Sequence, residues 1–145
     1  MTESVSVPAR AEELGTLHDA LARFWEVVDA NIASPPDQGW RLRFATAVSE
    51  IATNVVRYAY RGCSAPGSLR LELRFYKTRV VARFTDTGNL FTKPTPAARP
   101  FDDDALELPE GGYGLAVARV CLDQLNYTRS KSGVNTWRLM KRLKP

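Results

Sequence analysis

Histidine occurs once in this 145-residue chain, at His18, and cysteine twice, at Cys63 and Cys121. A single imidazole excludes a histidine-rich metal centre, and two distant thiols outside any Cys-x-x-Cys or Cys/His spacing indicate neither a disulfide framework nor a zinc site. Long apolar runs are missing as well. Nothing approaches the ~20 apolar residues a membrane span needs, and the N-terminal MTESVSVPARAEEL lacks a basic stretch leading into an apolar one. The expected setting is soluble, reducing and cytoplasmic. Charge of one sign is also scarce: 20 Lys+Arg against 16 Asp+Glu leave +4, short of the excess usual in a nucleic-acid-binding protein.

What is present suffices for a core. With 44% hydrophobic residues, a chain of this length can bury roughly two thirds of its unfolded surface without disulfide or metal. One domain spanning 1–145 is expected, with no internal repeat or linker. The charge is unevenly placed: DDDALELPE (Asp102 to Glu110) holds acids and no base, while Arg129 onward holds bases and no acid. Both read most simply as solvated surface.

Residues Ser4 to Pro8 alternate polar and apolar, as a short edge strand does. Leu14, Leu17, Leu21, Phe24 and Val28 recur at intervals of three and four, which predicts an amphipathic helix ending at Ser34-Pro35-Pro36. A second helix is expected from about Asp37 to Tyr60, with Phe44, Val48, Ile51 and Val55 on one stripe, before Gly62 and the Pro66-Gly67 turn. Leu69 to Tyr76 and Arg79 to Thr85 read as a hairpin. Leu90 to Glu110 has no sustained periodicity, and a loop of ~20 residues is uncommon unless it is a lid, a binding loop or a linker. A third helix is expected after Gly112-Tyr113-Gly114, carried by Leu115, Ala118, Leu122 and Leu125, followed by strands near Gln124 to Ser130 and Val134 to Leu143. Early helices with paired strands predict an α+β two-layer sandwich, a mixed and mostly antiparallel sheet with helices on one face. The other face would meet solvent or a partner.

Three short motifs bear on chemistry. Glu50 and Asn54 stand four apart on the second helix, one turn above the other at the border of its apolar stripe, and Tyr58 extends the row. A carboxylate there can accept a proton from a hydroxyl, and an amide oxygen can bind Mg²⁺. Alone, the spacing equally describes a solvated glutamate and a capping asparagine. Asp86-Thr87-Gly88 follows a strand directly: the acid can accept a hydrogen bond from a group such as an adenine amine, and the glycine permits close approach. An ordinary Asp/Gly turn looks the same. Glu110-Gly111-Gly112-Tyr113-Gly114-Leu115 is a glycine-rich entry to a helix, where backbone amides and the helix dipole favour an anion.

Taken in order, AVSEIATNVVRYAY (Ala47 to Tyr60), DTGNLF (Asp86 to Phe91) and EGGYGLAVARVCLDQLNY (Glu110 to Tyr127) resemble the N-box and the two glycine boxes of the GHKL nucleotide-binding superfamily. Within it the chain is most similar to the small anti-sigma factor serine/threonine kinases of the RsbW and SpoIIAB type. The resemblance covers nearly the whole chain and implies a Bergerat-type ATP-binding fold with ATP and Mg²⁺ as cofactors, in a bacterial cytoplasmic protein. Carried over by position, Glu50 matches the general base that takes the proton from a substrate serine, and Asn54 the Mg²⁺ ligand. Asp86 matches the adenine-reading acid, and Gly88 gives the ring room. Gly112 and Gly114 match the hinge of an ATP lid over residues 90–112, and Thr136 the strand threonine near adenine. The family commonly has histidine where Tyr58 stands, Leu90 replaces a glycine, and Asn135 stands where a glycine often precedes the threonine.

The implied function is a protein serine kinase that phosphorylates a STAS-domain antagonist and sequesters a sigma factor or another output protein, with homodimers common in the family. The alternative is a nucleotide-gated partner-binding module, a phosphatase activator or anti-sigma binder with little transfer activity, which Tyr58 and the atypical lid favour. Direct nucleic-acid binding through Arg129, Lys131, Arg138, Lys141, Arg142 and Lys144 is a third reading that no accompanying motif supports. Trp25, Trp40 and Trp137 are expected in the core, and His18 on an exposed helix face.

Overall fold

A computed structural model describes residues 1–65, 67–92 and 113–144. Five strands and three helices are described: β1 (Thr2–Pro8), α1 (Leu14–Asn31), α2 (Gln38–Asn54), β2 (Ser68–Phe75), β3 (Arg79–Asp86), α3 (Gly114–Cys121), β4 (Gln124–Arg129) and β5 (Asn135–Arg142). The sheet order is β1-β2-β3-β5-β4. All four pairings are antiparallel, so the expected α+β sandwich is built without a parallel pair among the described residues.

The helices form where the pattern puts them. In α1, Leu17, Leu21, Phe24 and Val28 are buried, and the helix ends at Asn31 before the Pro35-Pro36 pair. Asp37 caps α2, its carboxylate accepting from the Trp40 amide at 2.8 Å. Trp40 stacks on Phe44 with ring centroids 5.4 Å apart, and its indole donates to the Arg142 carbonyl at 2.7 Å, which pins the start of α2 to the end of β5. Leu69, Leu71 and Leu73 of β2, Val80, Ala82 and Phe84 of β3, and Trp137 and Leu139 of β5 supply the sheet side of the core. The period-two alternation leaves the opposite face of the sheet without a covering helix among the described residues.

Two expectations change. The second helix does not run evenly to Tyr60: after Asn54 it widens into a π-helical turn over Val55–Ala59, a feature often found at functional sites. The third helix stops at Cys121, so Leu125 belongs to β4, where it pairs with Leu139. Gly112 and residues 93–112 of the expected lid lie outside the described residues.

Candidate functional site

The β3 strand delivers Asp86 to one end of the sheet, and the π turn delivers Val55, Tyr58 and Ala59 to the same place. Between them lies a cavity of about 290 Å³. Asn54, Asp86, Leu90, Phe91, Tyr127, Asn135 and Trp137 are also among its walls. The volume is at the lower edge of the range for small-molecule sites. Phe91 stands among the aromatic walls, its ring 4.9 Å from Trp137, 5.9 Å from Tyr127 and 6.5 Å from Tyr58.

Asp86 is 4% exposed. A buried carboxylate needs hydrogen bonds to remain in place, and Asp86 has two, both to Oδ1: the Gly88 amide at 2.8 Å and Asn135 Nδ2 at 2.8 Å. Its second oxygen is the one available to a ligand. The Asn135 amide is itself saturated. Nδ2 also reaches the carbonyls of Gly88 and Asn89 at 3.1 and 3.0 Å, and Oδ1 accepts from Tyr127 Oη at 2.5 Å and from Arg129 Nη1 at 2.9 Å. Tyr127 Oη in turn accepts from the Phe91 amide at 2.9 Å. One buried side chain thus ties β3, the Asp86 turn, β4 and β5 together.

Thr136 does not take part. Asn135 pairs with Asp86, and Thr136 pairs with Thr85 and Thr128, so strand alternation turns Thr136 to the outer face of the sheet. The residue of β5 that reaches the cavity is Asn135. Reading parity from the apolar run Trp137 and Leu139 would have found it, because 135 shares their face. Gly88 permits a close approach of two backbone segments. A Cβ there would stand 2.2 Å from the Ala59 carbonyl oxygen, so the glycine lets the Asp86 turn close onto the π turn, where the Asn89 amide donates to the same carbonyl at 2.5 Å. Its bare side faces Ala59, itself part of the cavity wall.

Glu50 and Asn54 come together with Gly114. A Cβ at position 114 would lie 2.7 Å from Glu50 Oε2 and 3.9 Å from Asn54 Oδ1, so the N-terminus of α3 sits on the two side chains. Asn54 is 4% exposed, and its Nδ2 has no hydrogen-bond partner among the described residues. An orphaned buried amide costs roughly 1–3 kcal/mol, which a ligand at this spot would relieve. Asn54 also lines the cavity, and so joins the Asp86 pocket to the Glu50–Gly114 cradle. A hard divalent cation takes oxygen ligands, and this cradle offers a carboxylate, an amide and the amides of a helix N-terminus for the anion that would accompany it. The residues present fit such a pair. Tyr58 lies on the cavity wall, with the Arg61 guanidinium 4.9 Å over its ring.

Among the described residues no helix is long and apolar enough to cross a membrane. A curated relative, the anti-sigma F factor of Pasteuria penetrans, is 31% identical over 91 residues, which is 63% of this chain and 60% of that protein. The chain thus spans less than two thirds of that relative. The fold is shared with a crystal structure of the RsbU and RsbW domains of Rv1364c from Mycobacterium tuberculosis, at a TM-score of 0.66 and 16% identity over 98% of this chain and 32% of that one. It is shared also with the Acinetobacter baumannii histidine kinase AdeS, at a TM-score of 0.52 and 16% identity over 97% of this chain and 68% of that one. The model of the histidine kinase-like ATPase domain matches residues 7–141, and the chain belongs to that family.

Proposed function

We propose that the chain is an ATP-dependent protein serine kinase of the anti-sigma type, acting on a STAS-domain antagonist and holding a sigma factor or comparable output protein. The observation that carries this is the meeting of Glu50, the orphaned Asn54 amide and the bare Gly114 at the start of α3. Asp86, held by Asn135, would read the adenine amine through its second oxygen, and the aromatic walls would take the ring face. Asn54, with the amides at the start of α3, would hold the phosphate end. Magnesium, when bound, supplies charge neutralisation on the phosphates. Glu50 would take the proton of an incoming serine hydroxyl as its oxygen bonds to the γ-phosphorus and the bond to the β-γ bridging oxygen breaks, releasing ADP. Such transfer demands positioning and electrostatics more than covalent chemistry, which suits so sparse a site.

The test is phosphotransfer from Mg-ATP to the cognate STAS antagonist by the purified chain. Glu50→Ala should remove transfer by roughly 10²–10⁴-fold while ATP binding is kept, and Asn54→Ala should weaken both. An unphosphorylated antagonist alongside folded, ATP-binding protein would refute the kinase reading. That outcome would support the second one, a nucleotide-gated binding module. Phe91 favours it: its ring already packs on Trp137 and Tyr127 inside the cavity, so a base entering there must stack on or displace it, which couples occupancy to the chain that follows.

A further inference from the structure

The outer face of the sheet has a charge arrangement that the nucleotide site does not use. Along β2, β3 and β5 the outward positions include Arg70, Arg74, Arg79, Arg83, Arg138 and Arg142, against one carboxylate, Glu72. The outward positions of the flanking strands are uncharged: Thr2, Ser4 and Ser6 on β1, and Gln124, Asn126 and Thr128 on β4. Glu72 is drawn along its own strand, 3.0 Å from Arg74 and 3.8 Å from Arg70. Across β3 and β5, arginine directly faces arginine twice, Arg79 opposite Arg142 and Arg83 opposite Arg138. None of these four takes part in the ion pairs found among the described residues. Arg138 donates to Gln124 at 3.2 Å, Arg79 lies over the Tyr76 ring, and Asp123 at the edge is engaged by the Arg142 backbone amide. Like charges set directly opposite are destabilising, and among the described residues no ion pair offsets either of these two.

We propose that this face is the docking surface for an acidic segment of a partner protein. Between the arginine pairs Val81 and Met140 stand opposite one another and are buried, so the face itself presents the arginines, and the register continues to the groove at the Arg79 end. That groove, about 1240 Å³, runs between Pro35-Pro36 and the β2–β3 turn, with Phe75 and Leu143 in its walls beside Arg79, Arg138 and Arg142. Arginine around apolar positions is the composition of a protein interface, and the guanidinium fork matches a carboxylate through two parallel hydrogen bonds. A second copy fits poorly, because an isologous contact through this face would set one arginine-rich patch against another. Nucleic acid fits less well: the net charge is only +4, Glu72 stands inside the patch, and the apolar groove walls at Phe75 and Leu143 have no counterpart on a phosphate backbone.

The proposal is independent of the nucleotide reading, and its test needs no nucleotide. The full chain, labelled with ¹⁵N, is titrated with a synthetic peptide of Asp, Glu and Leu while amide shifts are followed. Shifts should concentrate in residues 79–85 and 136–142, and affinity should fall as salt rises. Arg83→Glu with Arg138→Glu should weaken binding by roughly tenfold or more, about 1.4 kcal/mol, and a Lys/Leu peptide should bind that variant better than it binds the original chain. Should the reversal disturb folding, Arg83→Gln with Arg138→Gln removes the charge alone and should weaken the acidic peptide in the same direction. Shifts confined to other surfaces, binding unchanged in both double variants, tighter binding of an oligonucleotide of equal length at equal salt, or self-association through this face would each overturn the proposal.

Discussion

Asp86 and Arg79 end the same strand, yet their surroundings follow opposite rules. At Asp86 the carboxylate is buried and answered by a backbone amide and by Asn135, whose own amide is fully engaged. At Arg79 and across the outer face, guanidinium faces guanidinium. The difference follows from water. An unsatisfied polar group in the interior loses its full solvation, so the Asp86 end tolerates little disorder in its bonding. Exposed like charges are screened and cost tenths of a kcal/mol apiece, so the outer face can keep a mismatch that serves a partner. Asn54 is the exception within the interior: among the described residues its Nδ2 is the buried side-chain polar atom that lacks a partner.

The largest effect is expected where the Asp86 turn meets the π turn. Gly88→Ala brings a Cβ to 2.2 Å from a backbone oxygen of Ala59, and backbone yields less readily than a side-chain end. A loss of about 3 kcal/mol in urea unfolding is expected, at the upper end of overpacking costs; a loss under ~1 kcal/mol would mean that the two turns slide apart freely. Next comes Asn135→Ala, which takes the Asn135 partner from the Tyr127 hydroxyl and the Asn89 carbonyl and one bond each from Asp86 and Arg129, and should cost about 2–3 kcal/mol. It should also weaken nucleotide binding, because Asp86 loses half of its support. The neighbouring Thr136→Ala, on the outer face, should stay within ~0.5 kcal/mol and leave nucleotide binding alone. Equal effects at 135 and 136 would break the contrast between the two faces.

Much of this was legible in the sequence where the information is local. Glu50 and Asn54 share a face because four residues make about one helical turn, and that reading needed no partner. Helices and strands followed from their periods, with the third helix running too far because Leu122 and Leu125 keep an apolar spacing beyond its end at Cys121. The π turn was not legible, since nothing in VVRYA distinguishes a wide turn from a regular one. The choice between Asn135 and Thr136 needed the register against β3, which is a tertiary fact. The same holds for the arginines. The basic C-terminal run was visible as a composition, but Arg129 goes to the Asp86 end, Lys141 turns inward to the Cys121 carbonyl, and only Arg138 and Arg142 join Arg79 and Arg83 outside.

The smallest expected effect is also the one with the less usual sign. Arg83 stands between Glu72 and Arg138, so removing it would lose an attraction together with a repulsion. Arg138 stands between Arg83 and Asn126, and removing its charge relieves the repulsion with only an exposed hydrogen bond to Gln124 lost. Arg138→Gln should therefore stabilise the chain by about 0.2–0.5 kcal/mol, roughly 1–2 °C in Tm. Because screened repulsion is the cause, the gain should shrink as salt is raised. A loss of stability that salt does not alter would point instead to the arginine stem packing over Met140. The outer face would then be arranged by the demands of the fold alone, as the Asp86 end is.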